Sequence, residues 1–198
     1  MRSVLYFGII ALLFTFSCNS DNRSAGDGYF KKGEYQKAVE AYTETLNSRP
    51  NNLNAMYNRG RAYEELGQHE QAIEDFHQIL EINEDYEQAI MSLGKVYLTQ
   101  NQPEKAAGYF DRVIEENPNN ALAYFYRGRA NHKLGVVESA MEDYNAALSL
   151  KKDIGEVYLW RGALKAHKKQ IKDACDDFNM AKRYEVEEAD KAIDKYCK

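Results

Sequence analysis

A shift of 34 residues lays this chain onto itself. Gly26, Gly60, Gly94, Gly128 and Gly162 fall in one column, and Ala38, Ala72, Ala106, Ala140 and Ala174 in a second. Tyr42, Phe76, Phe110, Tyr144 and Phe178 make a third, and Pro50 and Pro118 share a slot two periods apart. A period of this length, kept over five copies, restricts the chain to a linear array of small units, each burying its apolar face against its neighbours.

Each unit reads as two helices. From Leu53 to Leu66 apolar and small residues recur at spacings of three and four, and a second amphipathic run follows from Glu70 to Ile82. Between them Gly67 supplies the left-handed backbone position that ends a helix. The corresponding breaks are Gly33, Asn101, Gly135 and Lys169; lysine adopts that conformation poorly, so the fifth turn is expected to be the least regular. Glycine inside a helix costs about 1 kcal/mol against alanine, so its column needs a packing reason. The expectation is close approach of the partner helix against the alanine column, with the aromatic column filling the space between one hairpin and the next.

These columns resemble the tetratricopeptide repeat, in which an aromatic, Leu-Gly, Tyr, then Ala, Phe, Ala and Pro stand at fixed slots in 34 residues. The copies run 19–52, 53–86, 87–120, 121–154 and 155–188. The resemblance implies an all-α fold: a right-handed superhelical solenoid of five helix-turn-helix hairpins, with 189–198 as a C-terminal capping helix. Copy one is the weakest, since Gly26 and Gly28 both sit in its first helix. The chain departs from the family pattern at Glu84, Lys152 and Val186 in the Pro slot, and at Arg59, Arg127 and Arg161 in the usual Leu slot. Each of these arginines has an aspartate 16 residues later, Asp75, Asp143 and Asp177, and the other two copies lack both members. Joint presence or absence predicts a structural pair bridging the two helices of one hairpin, worth about 0–1 kcal/mol if solvated.

Residues 1–17 stand outside the repeat. Arg2 is their one charge, and Val4 to Phe16 form an apolar run of 13 residues, short of the ~20 that a membrane-spanning helix needs. Ser17-Cys18 after such a run resembles a bacterial lipoprotein signal, although Thr15 and Phe16 depart from the usual Leu and small residue. The resemblance implies that 1–17 is a signal peptide and that Cys18 becomes the lipid-modified N-terminus. Residues 18–24 would then form a linker overlapping the start of repeat one. The expected location is outside the cytoplasm, lipid-anchored to a bacterial outer membrane and facing the periplasm. Ordinary signal cleavage and a short uncleaved anchor are the alternatives.

A net charge of -5 argues against a general nucleic-acid binder, and 44% hydrophobic residues argue against wholesale disorder. His69, His77, His132 and His167 form no His-x-x-x-His pair, the glycines build no phosphate-cradling loop, and no nucleophile-base set emerges. The expectation is no catalytic residue, no metal and no cofactor; the protein is not expected to be an enzyme.

The family resemblance implies instead a binding groove lined by the first helices. The fifth slots, Tyr57, Met91, Phe125 and Leu159, would form an apolar ladder. Beside it lie the basic ninth slots Arg61, Lys95 and Arg129, the sixth slots Asn58, Tyr126 and Trp160, and His132 one turn beyond Arg129. The slots that clamp carboxylate tails in chaperone-binding members hold Arg23, Asp27, Asn58, Gln88 and Ser92, of which only Asn58 matches; that clamp is absent. The expected function is a non-enzymatic scaffold or adaptor at the cell envelope, binding an acidic or C-terminal segment of a protein partner, with membrane contact through the lipid alone. The alternative is a periplasmic chaperone-like carrier holding clients weakly in the aromatic groove. Finally, Cys175 and Cys197 are an even pair in a compartment expected to be oxidising, and register brings them to the same level of neighbouring helices. A disulfide and two buried thiols are both open.

Overall fold

In the computed structural model, which describes residues 21–197, the repeat period becomes five antiparallel helix pairs. They are α1 (Asp21–Lys31) with α2 (Tyr35–Ser48), α3 (Leu53–Glu65) with α4 (His69–Ile82), and α5 (Glu87–Thr99) with α6 (Pro103–Glu116). The series continues with α7 (Ala121–Leu134) and α8 (Val137–Leu150), α9 (Gly155–His167) and α10 (Ile171–Arg183), and closes with α11 (Ala189–Tyr196). No strand occurs among the described residues. The 1–17 segment and Cys18 lie outside them.

Local signals explain the boundaries. Asn52 and Asn120 accept the amides of Ala55 and Ala123 at 3.1 and 3.0 Å, satisfying first-turn donors of α3 and α7. Pro103 occupies the first turn of α6, where its missing N–H is harmless. The hairpin turns pass through positive φ at Gly33, Gly67, Asn101, Gly135 and Lys169. A further left-handed residue, Glu185 (φ 59°), redirects the chain before α11.

The core is built from the repeated columns. All five column alanines are fully buried, and the column aromatics are 0–2% exposed. The glycine column does permit close approach of the partner helix, and what approaches it is chiefly the aromatic column. A Cβ on Gly60 would stand 2.6 Å from the Phe76 ring, and the same ring contact holds for Gly26 on Tyr42, Gly94 on Phe110, Gly128 on Tyr144 and Gly162 on Phe178. The aromatic therefore packs on the glycine of its own hairpin and also reaches the next unit, Phe110 stacking on Tyr126 at 5.6 Å. The two columns are one contact.

Helix α11 covers the last hairpin. Ala192, Ile193 and Tyr196 pack on the cluster of Ala166, Ala174 and Phe178, with the Phe178 and Tyr196 rings stacked at 5.8 Å. Cys175 and Cys197 are joined by a disulfide, their Cα atoms 5.7 Å apart.

Candidate functional site

The three arginines in the Leu slot reach in two directions. Arg59 donates from Nε and Nη2 to both carboxylate oxygens of Asp75 (2.9 and 2.6 Å), and from Nη1 to Thr43 Oγ1 (3.2 Å) on the preceding hairpin. Arg127 bonds Asp143 in the same way (2.6 Å from Nη2) and Asp111 of the preceding hairpin at 2.7 Å. Arg161 bonds Asp177 (2.7 Å from Nη2) and Asn145 (2.8 Å). Each arginine thus ties three helices. The solvated value expected from the sequence does not apply, because Asp75, Asp143 and Asp177 are only 2–4% exposed. Burial pushes the Asp75 carboxyl up, and Arg59 pulls it back down less strongly. Asn131 and Lys165 add further donors to Asp143 and Asp177 at 2.9 and 2.7 Å. This is a structural network.

The first helices of neighbouring hairpins lie side by side, α1 against α3 and α5 against α7. On the face they form, the expected ladder is only partly available. Phe125 is 4% exposed: it is roofed by Arg129 and Tyr126 and packs against Tyr144, so it underlies the surface rather than lining it. Leu159 packs into the cluster closed by α11. Met91 is half-buried against the core, and Tyr57 is held between Phe76 and Tyr86 at centroid distances of 5.8 and 6.0 Å.

The basic groups are divided as well. Arg61 is exposed and stacks on Phe30 at 4.8 Å, with Glu64 one turn on. Burial pushes the Glu64 carboxyl up against the pull of Lys95 and Arg61. Asn58 donates to Asp27 Oδ1 at 3.2 Å and is committed there. Lys95 and Arg129 instead share a pocket of about 330 Å³ between α5 and α7, lined also by Leu98, Thr99, Tyr126 and Lys133. No carboxylate lines it. Arg129 lies over three rings, Trp160 at 4.9 Å and Phe125 and Tyr126 each at 5.8 Å, and its Nε is buried without a partner. His132 meets Trp160 edge-on at 5.7 Å, its Nδ1 likewise buried and unpartnered. Lys133 donates to Leu98 O and Asn101 Oδ1 at 3.3 and 3.2 Å, both neutral acceptors.

One residue lining this site, Lys133, is not singled out in the sequence, and the Tyr144 side chain, fully buried, is not among those that line it. Lys133 stands four residues after Arg129, a helical neighbour that the slot reading passed over. Tyr144 carries a hydroxyl at a column position where three of five hairpins have phenylalanine. No group of three or more His, Cys, Asp or Glu residues placed to hold a metal occurs among the described residues. No helix there is long and apolar enough to cross a membrane.

Comparisons with known proteins bear on the repeats. Family profiles described as tetratricopeptide repeat match residues 91–156 and 53–86, and one described as TPR repeat matches 26–67. No curated protein gives a significant match. Among solved structures, MamA is similar at 25% identity with a TM-score of 0.71, the match covering 83% of this chain and 96% of that one. A MamA fragment from Desulfovibrio magneticus RS-1 superposes with a TM-score of 0.75 at 22% identity, covering 83% and 93%. YrrB, a TPR protein with an unusual peptide-binding site, gives 0.64 at 20% identity over 82% and 84%.

Proposed function

The chain belongs to the tetratricopeptide-repeat family, and from that premise we propose that it is a non-enzymatic interaction scaffold of the bacterial cell envelope, held by a lipid on Cys18 and gripping a partner protein by an acidic or C-terminal segment on its first-helix face. The observation that carries this reading is the patch around Arg129: Trp160, Tyr126 and Arg129 are of the residue types that anchor interfaces, and they meet on one face. The excess of cations there, Lys95, Arg129 and Lys133 against the nearby Glu64 and Glu156, in a chain of net charge -5, favours an acidic segment and disfavours a basic one. YrrB offers a precedent for peptide binding on the same fold. The anchor reading rests on the apolar run ending in Ser17-Cys18.

Affinity capture from native envelopes without crosslinking tests the scaffold. A scaffold returns one stoichiometric partner, and Arg129→Glu together with Trp160→Ala loses it. A broad, weakly held set of clients would point to the chaperone-like carrier instead. Undiminished capture by both variants would move the site to the other face or the termini. For the anchor, mass spectrometry of the native protein is expected to show 1–17 removed and a diacylglyceryl adduct on Cys18; an intact Met1 in mature protein would refute it.

A further inference from the structure

Helix α11 is attached to the stack differently from the first helices of repeats two to five. Each of the four links between hairpins leaves its helix through Arg49, Asn83, Asn117 or Lys151, with φ between -134° and -146°. The link into α11 turns instead through Glu185, left-handed at φ 59°, in the place where a helix end ordinarily has glycine. A residue with a β-carbon is strained there. Val186 closes the turn by donating its amide to Ala181 O at 3.1 Å. The helix that follows has eight residues and no side-chain cap, too little to be stable by itself. Its apolar face holds it in place. Ala189 is fully buried, and Ala192, Ile193 and Tyr196, on the same side of the helix, pack on Ala166, Ala174 and Phe178. An exposed ion pair, Lys182 to Asp190 at 2.6 Å, and the Cys175–Cys197 bond add to that contact. Both cysteines are partly exposed.

We propose that the end face of α9 and α10 is a helix-docking site. Helix α11 fills it from its own chain while Cys175 and Cys197 are bonded, and on reduction the site takes the α11 of a second copy in a reciprocal swap. The occupant follows from the face itself. Ala166, Ala174 and Phe178 are already fitted by the small, branched and aromatic side chains of α11, and a second copy brings the same side chains in the same register. Swapping extends the link, which releases the strain at Glu185 in both chains. Glu185, Glu187 and Glu188 repel one another and favour that extended link. Tyr184 stays stacked on Tyr158, so the opening begins beyond it. The reductant is a dithiol. One of its thiolates attacks one sulfur of the bond, and the other cysteine leaves as a thiolate and takes up a proton. The second sulfur of the dithiol then displaces the first cysteine, which is protonated in turn; the reductant ends as a disulfide and both cysteines as thiols. A short link holds α11 at a roughly millimolar effective concentration, so the swap sets in only as the chain approaches it. Reoxidation fixes whichever pairing is present. The inference is independent of the first-helix face and of the lipid.

Isotope mixing tests the swap, with dithiothreitol as the dithiol. Natural-abundance and heavy-nitrogen full chain are mixed in equal amounts at about 0.5 mM, reduced, reoxidised and digested, and the linked Cys175–Cys197 peptides are weighed. Mixed-label pairs are expected, more of them at about 0.5 mM than a hundredfold more dilute, and none in a mixture that was never reduced. Light scattering of the reduced chain at the higher concentration is expected to show a dimer that dissociates on dilution. Ile193→Asp, which places a charge against the end face, is expected to abolish that dimer. Glu185→Gly removes the strain from the closed turn and is expected to lower the mixed fraction about fivefold. That variant keeps every side chain of the docked face and is expected to melt no lower than the parent, so the test does not hang on a variant that fails to fold. Mixed pairs no more frequent than in the unreduced mixture, a dimer that survives Ile193→Asp, or a mixed fraction unchanged by Glu185→Gly would each overturn the swap. Neither variant touches the first-helix face, so failure here leaves partner capture by the scaffold as it was.

Discussion

Asp143 is 3% exposed and receives Arg127 and Asn131, whereas Asp111, on the other side of the same guanidinium, is half exposed. The two carboxylates are therefore worth different amounts. Asp143→Ala removes the buried acceptor of Arg127 and Asn131 while Arg127, a quarter exposed, keeps Asp111, and is expected to cost about 1–3 kcal/mol in urea unfolding, against about 0–1 kcal/mol for Asp111→Ala. Equal costs would mean that burial does not govern the network. His132 gives a pH signature. Burial, and then the neighbouring His167, hold its pKa below the ordinary histidine value. The unfolded chain takes up the proton first as pH falls, so the stability this neutral side chain retains above the ordinary value is lost progressively from there down to the folded pKa. The urea midpoint is expected to drop between pH 8 and pH 5.5, and to drop less in His132→Gln; equal slopes would show that this ring's burial has no such effect.

Within a hairpin the glycine–aromatic contact sets how closely two helices lie. Gly60→Ala drives a methyl into the Phe76 ring and is expected to cost about 1–3 kcal/mol. Gly108, in the exposed face of α6, has open space around it, and Gly108→Ala is expected to stabilise by about 0.5–1 kcal/mol. Thermal melts of the two variants should move in opposite directions. This scale is where the sequence is most readable, because a 34-residue period fixes which residues are equivalent, and the turn residues Gly33, Gly67 and Gly135 mark three of the five breaks. Contacts across the period are less readable. The arginine-to-aspartate spacing of 16 stands out within a repeat, but the partner 16 residues earlier is Thr43, Asp111 or Asn145, three side chains sharing only an acceptor oxygen. The groove is less readable for the same reason: slots say which way a helical residue points, and not that Arg129 lies over Phe125 and takes it out of reach. Tyr144 was legible only as a hydroxyl in a phenylalanine column, whose meaning depends on what sits opposite.

Across the whole molecule each hairpin touches mainly its neighbours, so stability is distributed along the stack rather than pooled in one centre. The ends are unequal. The first hairpin begins with a helix of 11 residues containing Gly26 and Gly28, and the last is closed by α11 and the Cys175–Cys197 bond. Amide exchange is expected to be fastest in α1 and α2 and slower in α9 and α10 of the oxidised protein. Reduction, or Cys197→Ser, should remove about 3 kcal/mol and bring α10 and α11 to exchange rates like those of the first hairpin. The same covalent link bears on how the array responds to force. Stretched from its two ends, the oxidised chain has 22 residues of sequence short-circuited by a link spanning 5.7 Å between Cα atoms. Its fully extended length therefore falls about 70 Å short of the reduced chain's, and a single-molecule trace should end one step early. Under tension the hairpins can be drawn out one by one from the amino-terminal side, while a knot of chain at the far end survives the pull.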